Sequence, residues 1–457
     1  MAGPMSETTS TSELDEANLA DASGFAGHPR GLAPLFFTEL WERFSYYGMR
    51  AILVLYMVAP VAQGGLGFDT KHAASIYGTY TMSVYLTALP GGLIADHLLG
   101  ARLAVLLGGI VIACGHFTMV FNSMITFYLG MVLIAIGTGL LKPNISAMVG
   151  GLYRENDPRR DSGFSIFYMG INIGAVLAPL VCGYLAQGES FKRFGASLGF
   201  DVATSWHWGF GAAGVGMTLG LVIFLLNSRR LAHVGARVQR RVAGEKVAAA
   251  QPLNRDDWKR VAAIFIFFLF TILFWGAYEQ KGASLNLFAK ELVQTEVFGL
   301  RFPSSFLQSL TPLFVIMLAP LFSILWVRLR ERQPSSPAKF TLGLLFIGMA
   351  YLLLIPASAL TAYGKISPLW LVGLYFMEVV GEMCLSPVGL STVTKLAPVK
   401  LVGIMMGVWF LAASFGSKLA GYLSGFFVAN NSWTLVKLYG GIAAGLPVST
   451  VTNAHAV

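Results

Sequence analysis

Charge is scarce in this chain: Asp, Glu, Lys and Arg make up 12% of its 457 residues, about half the share of an ordinary soluble domain. Most of it cannot be solvated surface. Cysteine is scarcer, and all three, Cys114, Cys182 and Cys384, lie in apolar runs. That argues against a disulfide framework or thiolate metal site and for buried structural thiols. The start of the chain lacks both an apolar stretch and any base before Arg30, carrying Glu7, Glu13, Asp15, Glu16 and Asp21 instead. It is no signal peptide, and residues 1–30 read as a disordered cytoplasmic tail. There is no nucleotide loop, no metal-spaced His or Cys set, and no nucleophile beside a base. His28, His97, His207 and His233 fall near span ends or in the tail and linker. An enzyme, a metal protein or a sensor of those kinds is therefore disfavoured, and no cofactor is expected.

What is present is apolar length. Hydrophobic residues reach 55% and the mean hydropathy is +0.65. A bilayer takes roughly 20 apolar residues in helix, and such runs lie near 33–59, 73–98, 102–121, 124–149, 162–186 and 205–227, then 261–288, 306–328, 339–360, 368–394 and 401–429. A final run at 433–449, with Lys437, Gly440, Gly441, Gly445 and Pro447, reads as a short, tilted or incomplete twelfth helix. The predicted fold is an all-α polytopic membrane protein of two six-helix bundles, 31–227 and 261–457. The Gly content, 51 residues, suits helices that pack closely in lipid.

The net charge of +9 points to membrane orientation, because the bases sit in short loops. With the tail inside, 20 of the 32 Lys and Arg fall in cytoplasmic loops and six outside, so both termini are expected in the cytoplasm. The linker 228–260 is strongly basic. Within it Leu231, Val234, Val238 and Val242 recur at helical spacing between arginines, the pattern of an amphipathic helix on the membrane surface. Two six-helix halves so joined are typical of alternating-access carriers.

Charges inside the spans carry the functional argument, since each costs about 2.5–3.5 kcal/mol at mid-membrane on insertion scales. In the first span Glu39, Glu42, Arg43, Tyr46 and Arg50 share one helical face, about 16 Å long at 1.5 Å per residue. Such a stripe must line an aqueous cavity. Lys142 precedes Pro143 and Asn144, Glu279 lies in the seventh span with Gln280 and Lys281 beside it, and the tenth span carries Glu378 and Glu382. Glu382 is preferred over Glu378, because Gly381 beside it allows close helix approach. Arg43 and Lys142 against Glu382, with Tyr46, Tyr47, Tyr85 and Asn172, make a bipolar pocket. It suits a zwitterion whose carboxylate and amine lie apart.

The segment Glu39-Leu40-Trp41-Glu42-Arg43-Phe44-Ser45-Tyr46-Tyr47 resembles the ExxERFxYY motif of proton-coupled oligopeptide transporters. Phe167-Tyr168-Met169-Gly170-Ile171-Asn172-Ile173-Gly174-Ala175 resembles their FYxxINxG run. Gly139-Leu140-Leu141-Lys142-Pro143-Asn144 and Gly381-Glu382-Met383-Cys384-Leu385-Ser386-Pro387 match too. Gly91-Gly92-Leu93-Ile94-Ala95-Asp96, with Gly100 and Arg102, is similar to a motif of the wider major facilitator superfamily.

The resemblance implies a major facilitator fold and proton-driven import of di- and tripeptides across a bacterial inner membrane, with no nucleic-acid partner and a functional monomer. It would place Arg43 and Lys142 on the peptide carboxylate, Glu382 and Asn172 on the amine, and Tyr46, Tyr47, Tyr85 and Trp409 along the peptide. Glu39, Glu42 and Glu279 would handle the coupling proton, and Arg50 with Glu279 would form a gate. Thr311 stands where many relatives have an amine-binding Asn. No helix pair is inserted between the halves, since 228–260 is too polar to form one. The alternative is a proton-coupled carrier of nitrate or another small anion, held by Arg43 and Lys142 alone and disfavoured by Glu382.

Overall fold

In a computed structural model of the protein, residues 21–154, 156–232, 234–235, 254–297, 299–398 and 401–445 are described. The first half contains α1 (Leu32–Val58), α2 (Thr70–Leu86), α3 (Ala101–Thr118), α4 (Met124–Gly150), α5 (Arg160–Gln187) and α6 (Ser205–Leu226). The second contains α7 (Arg255–Tyr278), α8 (Leu310–Leu329), α9 (Ser336–Leu360), α10 (Leu369–Leu396), α11 (Val402–Ser424) and α12 (Ser432–Ala443). Among the described residues, eight helical stretches are long and apolar enough to cross a membrane. α1, at 27 residues, is long enough too but holds Glu39, Glu42, Arg43 and Arg50. Its ends follow local chemistry: Pro34 sits in the first turn, where no amide bond is lost, and Ala59 before Pro60 leaves the helical region.

Several expectations change. α7 begins six residues before the expected span, because Asn254 and Asp257 form a reciprocal capping box, Asp257 N donating to Asn254 Oδ1 at 2.8 Å. The span expected at 261–288 breaks after Tyr278 into a tight turn, Glu279–Gly282, and a separate helix, Ser284–Leu292. The twelfth helix forms over 12 residues, and the expected residues 446–449 lie outside the described ones. Cys182 and Cys384 are buried, but Cys114 is exposed. It points away from the glycine face, Gly108 and Gly115, that α3 packs on α4.

Residues 21–30 also depart from the expected disorder. His28 is buried, its Nδ1 2.9 Å from the Tyr153 hydroxyl, and Arg159 donates to the Gly27 carbonyl at 2.8 Å. At the linker's start, Leu231 and Val234 are buried among Leu32, Leu35, Met148 and Leu152, and Arg102 N donates to the Gly235 carbonyl at 3.2 Å. Residues 227–232 are turns, so these two apolar side chains cover the first bundle. Val238 and Val242 of the expected amphipathic helix lie outside the described residues.

The halves meet along α2 against α11 and α5 against α8. A Cβ on Gly78 would sit 2.8 Å from Gly421 Cα, so only glycine allows that approach. Ser414 Oγ donates to the Met82 carbonyl at 2.9 Å and Lys418 Nζ to Thr79 Oγ1 at 2.7 Å. Around the far end of α1, Asn286 and Gln308 both donate to the Ala51 carbonyl, at 2.8 and 3.2 Å, and Ser309 donates to the Val176 carbonyl at 2.7 Å. These bonds lie from mid-helix to the end where α1 finishes and α2 begins. That end is closed.

Candidate functional site

The charged face of α1 points into the centre, as its spacing requires. Arg43 is buried and grips Glu42 with two guanidinium nitrogens, Nη2 to Oε1 at 2.7 Å, while Glu39 Oε1 approaches Arg43 Nε at 3.2 Å. One cation thus holds two carboxylates. Two turns on, Arg50 pairs with Glu279 of the opposite half and donates to the Tyr77 hydroxyl at 2.5 Å. This joins the halves at the closed end. The turn Glu279–Gly282 brings it there: a Cβ on Gly282 would overlap the Tyr77 hydroxyl and lie 3.0 Å from Arg50 Nε.

Beneath this ion pair lies a cavity of about 230 Å³, slightly below the roughly 300–1,000 Å³ of pockets for drug-sized ligands. From the first half Glu39, Arg43, Tyr47, Arg50, Tyr85, Lys142 and Asn172 line it; from the second, Glu279, Thr311 and Glu382 do. Lys142 Nζ sits 4.4 Å from the Tyr85 ring centroid, held by a cation–π contact and without an ion pair among the described residues. Asn172 donates its amide to the Tyr168 carbonyl at 3.0 Å, which leaves the side-chain oxygen as acceptor. Thr311 Oγ1 is buried with no partner. Glu382 accepts from the Tyr278 hydroxyl.

Two expected contacts lie off this wall. Tyr46 is buried behind it, its ring 5.2 Å from the Arg43 guanidinium and 6.0 Å from that of Arg50, between two cations it separates. Trp409 packs its indole over Gly389 of α10, where any Cβ would overlap the ring. Glu42 sits fully buried behind Arg43. The sequence reading left out Tyr168, Trp275, Tyr278, Lys281 and Gln308, which also line the cavity. Tyr168 was legible four residues before Asn172 on one helical face. Lys281 stood in an apolar run beside Glu279, a signal of cost in lipid.

Two six-helix halves around a charged central cavity closed at one end define a multi-pass membrane carrier of major facilitator type. The sequence profile of the POT family matches residues 102–240 and 231–439, and the chain belongs to that family. It is 40% identical to a Bacillus subtilis protein named "Uncharacterized transporter YclF", over 88% of this chain and 89% of that one. It is 38% identical to "Peptide transporter YePEPT" of Yersinia enterocolitica, over 91% of each. The crystal structure of a mutant peptide transporter POT in complex with alafosfalin matches with a TM-score of 0.84 at 37% identity, covering 96% of this chain and 98% of that one.

Proposed function

We propose that this protein is a proton-coupled symporter that imports di- and tripeptides by alternating access, acting as a monomer in a bacterial inner membrane with both termini in the cytoplasm. The carrying observation is the polarity of the cavity: Arg43 and Lys142 on the wall from the first half face Glu382 on the wall from the second. A short peptide is a zwitterion, and fixed charges of both signs at a distance complement its two ends. The peptide-transporting relatives support the substrate class. Arg43 and Lys142 take the carboxylate. Glu382, the Asn172 carbonyl oxygen and Thr311 Oγ1 take the amine. Tyr47 and Tyr85 pack the backbone and side chains by shape, which favours breadth of substrate.

Coupling follows from shared cations. Protons from the periplasm neutralise Glu42 or Glu279, weakening the ion pairs to Arg43 and Arg50. Arg43 is then free for a carboxylate, and the gate between α1 and the turn after α7 can open and reclose over the peptide. Once the cavity faces the cytoplasm, Glu42 loses its proton, retakes Arg43 and expels the substrate. Glu39, held by the same guanidinium, shares this exchange.

Uptake of labelled di-alanine into proteoliposomes under an inward proton gradient tests the proposal. Accumulation is expected, and a protonophore abolishes it. Moving one charge through 100 mV is worth about 2.3 kcal/mol, a limit of roughly fiftyfold accumulation before any pH gradient is added. Uptake of nitrate with none of peptide would overturn the substrate assignment.

A further inference from the structure

Behind the wall of the cavity, one turn before Glu382 on α10, lies Glu378. It is 0% exposed, and neither carboxylate oxygen has a hydrogen-bond partner. The substrate site does not include it: Glu382 and Lys281 line the cavity and Glu378 does not. Facing it from the turn after α7 are Lys281 and Glu279, from α9 Tyr351, and from its own helix Tyr375 and Glu382. Tyr278 at the end of α7 also lies in its field. Tyr439 of α12 backs Tyr351, ring centroids 6.0 Å apart.

Two facts about these neighbours decide its state. The Tyr351 hydroxyl has its proton committed to the Ala277 carbonyl at 2.7 Å, so towards Glu378 it offers only lone pairs. An ionised carboxylate is acceptor-only and gains nothing from them, whereas a protonated one can donate. Lys281, the cation in its field, has no ion pair among the described residues. Its ammonium lies over the Tyr278 ring instead, 3.3 Å from the centroid. Among the described residues, an acid with no hydrogen bond and an ammonium with no ion pair thus lie in each other's field, and burying an unpaired charge is costly.

We propose that Glu378 is a further proton-carrying site, additional to Glu279 in the C-terminal half, that holds a proton in the closed-outside state and alternates with an ion pair to Lys281. The proton leaves the Glu378 carboxyl for water in the cytoplasm-facing cavity. The resulting carboxylate takes the Lys281 ammonium from the Tyr278 ring. Reprotonation from the periplasmic side releases Lys281 again. Lys281 stays charged throughout, so one proton crosses per cycle by this route besides those handled by α1 and Glu279. The pairing also keeps Lys281 from repelling the peptide amine at Glu382. The inference rests on the proton-coupled reading above.

The test is the proton-to-peptide ratio, read from the membrane potential that nulls uptake in proteoliposomes, for wild type and Glu378→Gln. The ratio is expected to fall by one, so that at 100 mV the accumulation limit drops by roughly fiftyfold. An unchanged ratio overturns the proposal. Peptide counterflow, which needs no net proton movement, reports folding and separates the two readings: its absence in wild type sinks the peptide assignment itself. If Glu378→Gln abolishes counterflow, Lys281→Gln replaces it. That variant strands Glu378 in the protonated form, with the same loss of one expected and an unchanged ratio again fatal. Acid titration of the purified protein across the transport range gives a readout independent of peptide: Glu378→Gln takes up one proton fewer, and an equal uptake overturns the site.

Discussion

At the scale of single residues, the arrangement around Arg43 concentrates two functions on one guanidinium. Glu42 occupies two of its nitrogens, so under the proposed mechanism a substrate carboxylate would compete directly with the proton-binding acid. Replacing Glu42 with Gln is expected to abolish proton-driven accumulation while leaving counterflow of labelled peptide. Equal loss of both would sink the coupling role. Thr311 makes a second prediction. Its hydroxyl is buried and unpartnered at the cavity wall, and Asn would reach further with an amide oxygen. Thr311→Asn should tighten dipeptide binding by about 0.5–1.5 kcal/mol, the net worth of one hydrogen bond and roughly two- to twelvefold in Kd. An N-acetylated dipeptide, which lacks the ammonium, should show no such gain in the same calorimetric titration.

At the scale of elements, the loop between α4 and α5 works as a clamp. Arg159 donates to the Gly27 carbonyl and, from its guanidinium and its backbone amide, to Asp157, and the bonds to Asp157 hold its carboxyl down from 3.8 to about 2. A depressed carboxyl contributes stability that is present above its unfolded value and is lost as pH falls towards 2. The clamp should therefore be unchanged between pH 5 and 7.5, well above the range in which Asp157 takes up a proton. The protection factors of the amides at residues 24–30, that is exchange relative to the base-catalysed intrinsic rate at each pH, are expected to be constant across that window in wild type and lower at every pH in Asp157→Asn. A pH-dependent change in wild type would refute this assignment of the clamp. The kinked end of α7 is the other element of consequence. The continuous span expected at 261–288 is interrupted because Gly282 lets the turn sit against Tyr77 and Arg50, and this interruption aims Glu279 at the opposite half.

At the scale of the whole molecule, closure of one end is a balance between the halves, and that balance can be tipped. Gly282→Ala forces a methyl group into the Tyr77 hydroxyl, an overpacking worth about 1–3 kcal/mol, or roughly five- to over a hundredfold in the balance of states. Spin labels at Lys71 and Lys365, exposed on opposite halves, should move apart in this variant. An unchanged distance distribution would refute the gate geometry. The first eleven apolar runs, their order and the charged face of α1 were legible in the sequence, because apolar length and 3.6-residue periodicity are local properties; the twelfth helix, 12 residues long, was not. So were Arg43, Lys142 and Glu382, since charge in lipid is costly wherever it occurs and must mark a cavity. What the sequence could not decide is which side chains meet. Tyr46 shares the face of Arg43 yet lies behind the cavity, and Trp409 fills a hollow over Gly389. Tyr278 finds Glu382 across 104 positions, and Glu378 is left without a hydrogen-bond partner among the described residues. Those outcomes depend on how helices far apart in the chain pack against one another. Packing at that range is set by shape and by competition for hydrogen bonds, which only the tertiary structure resolves.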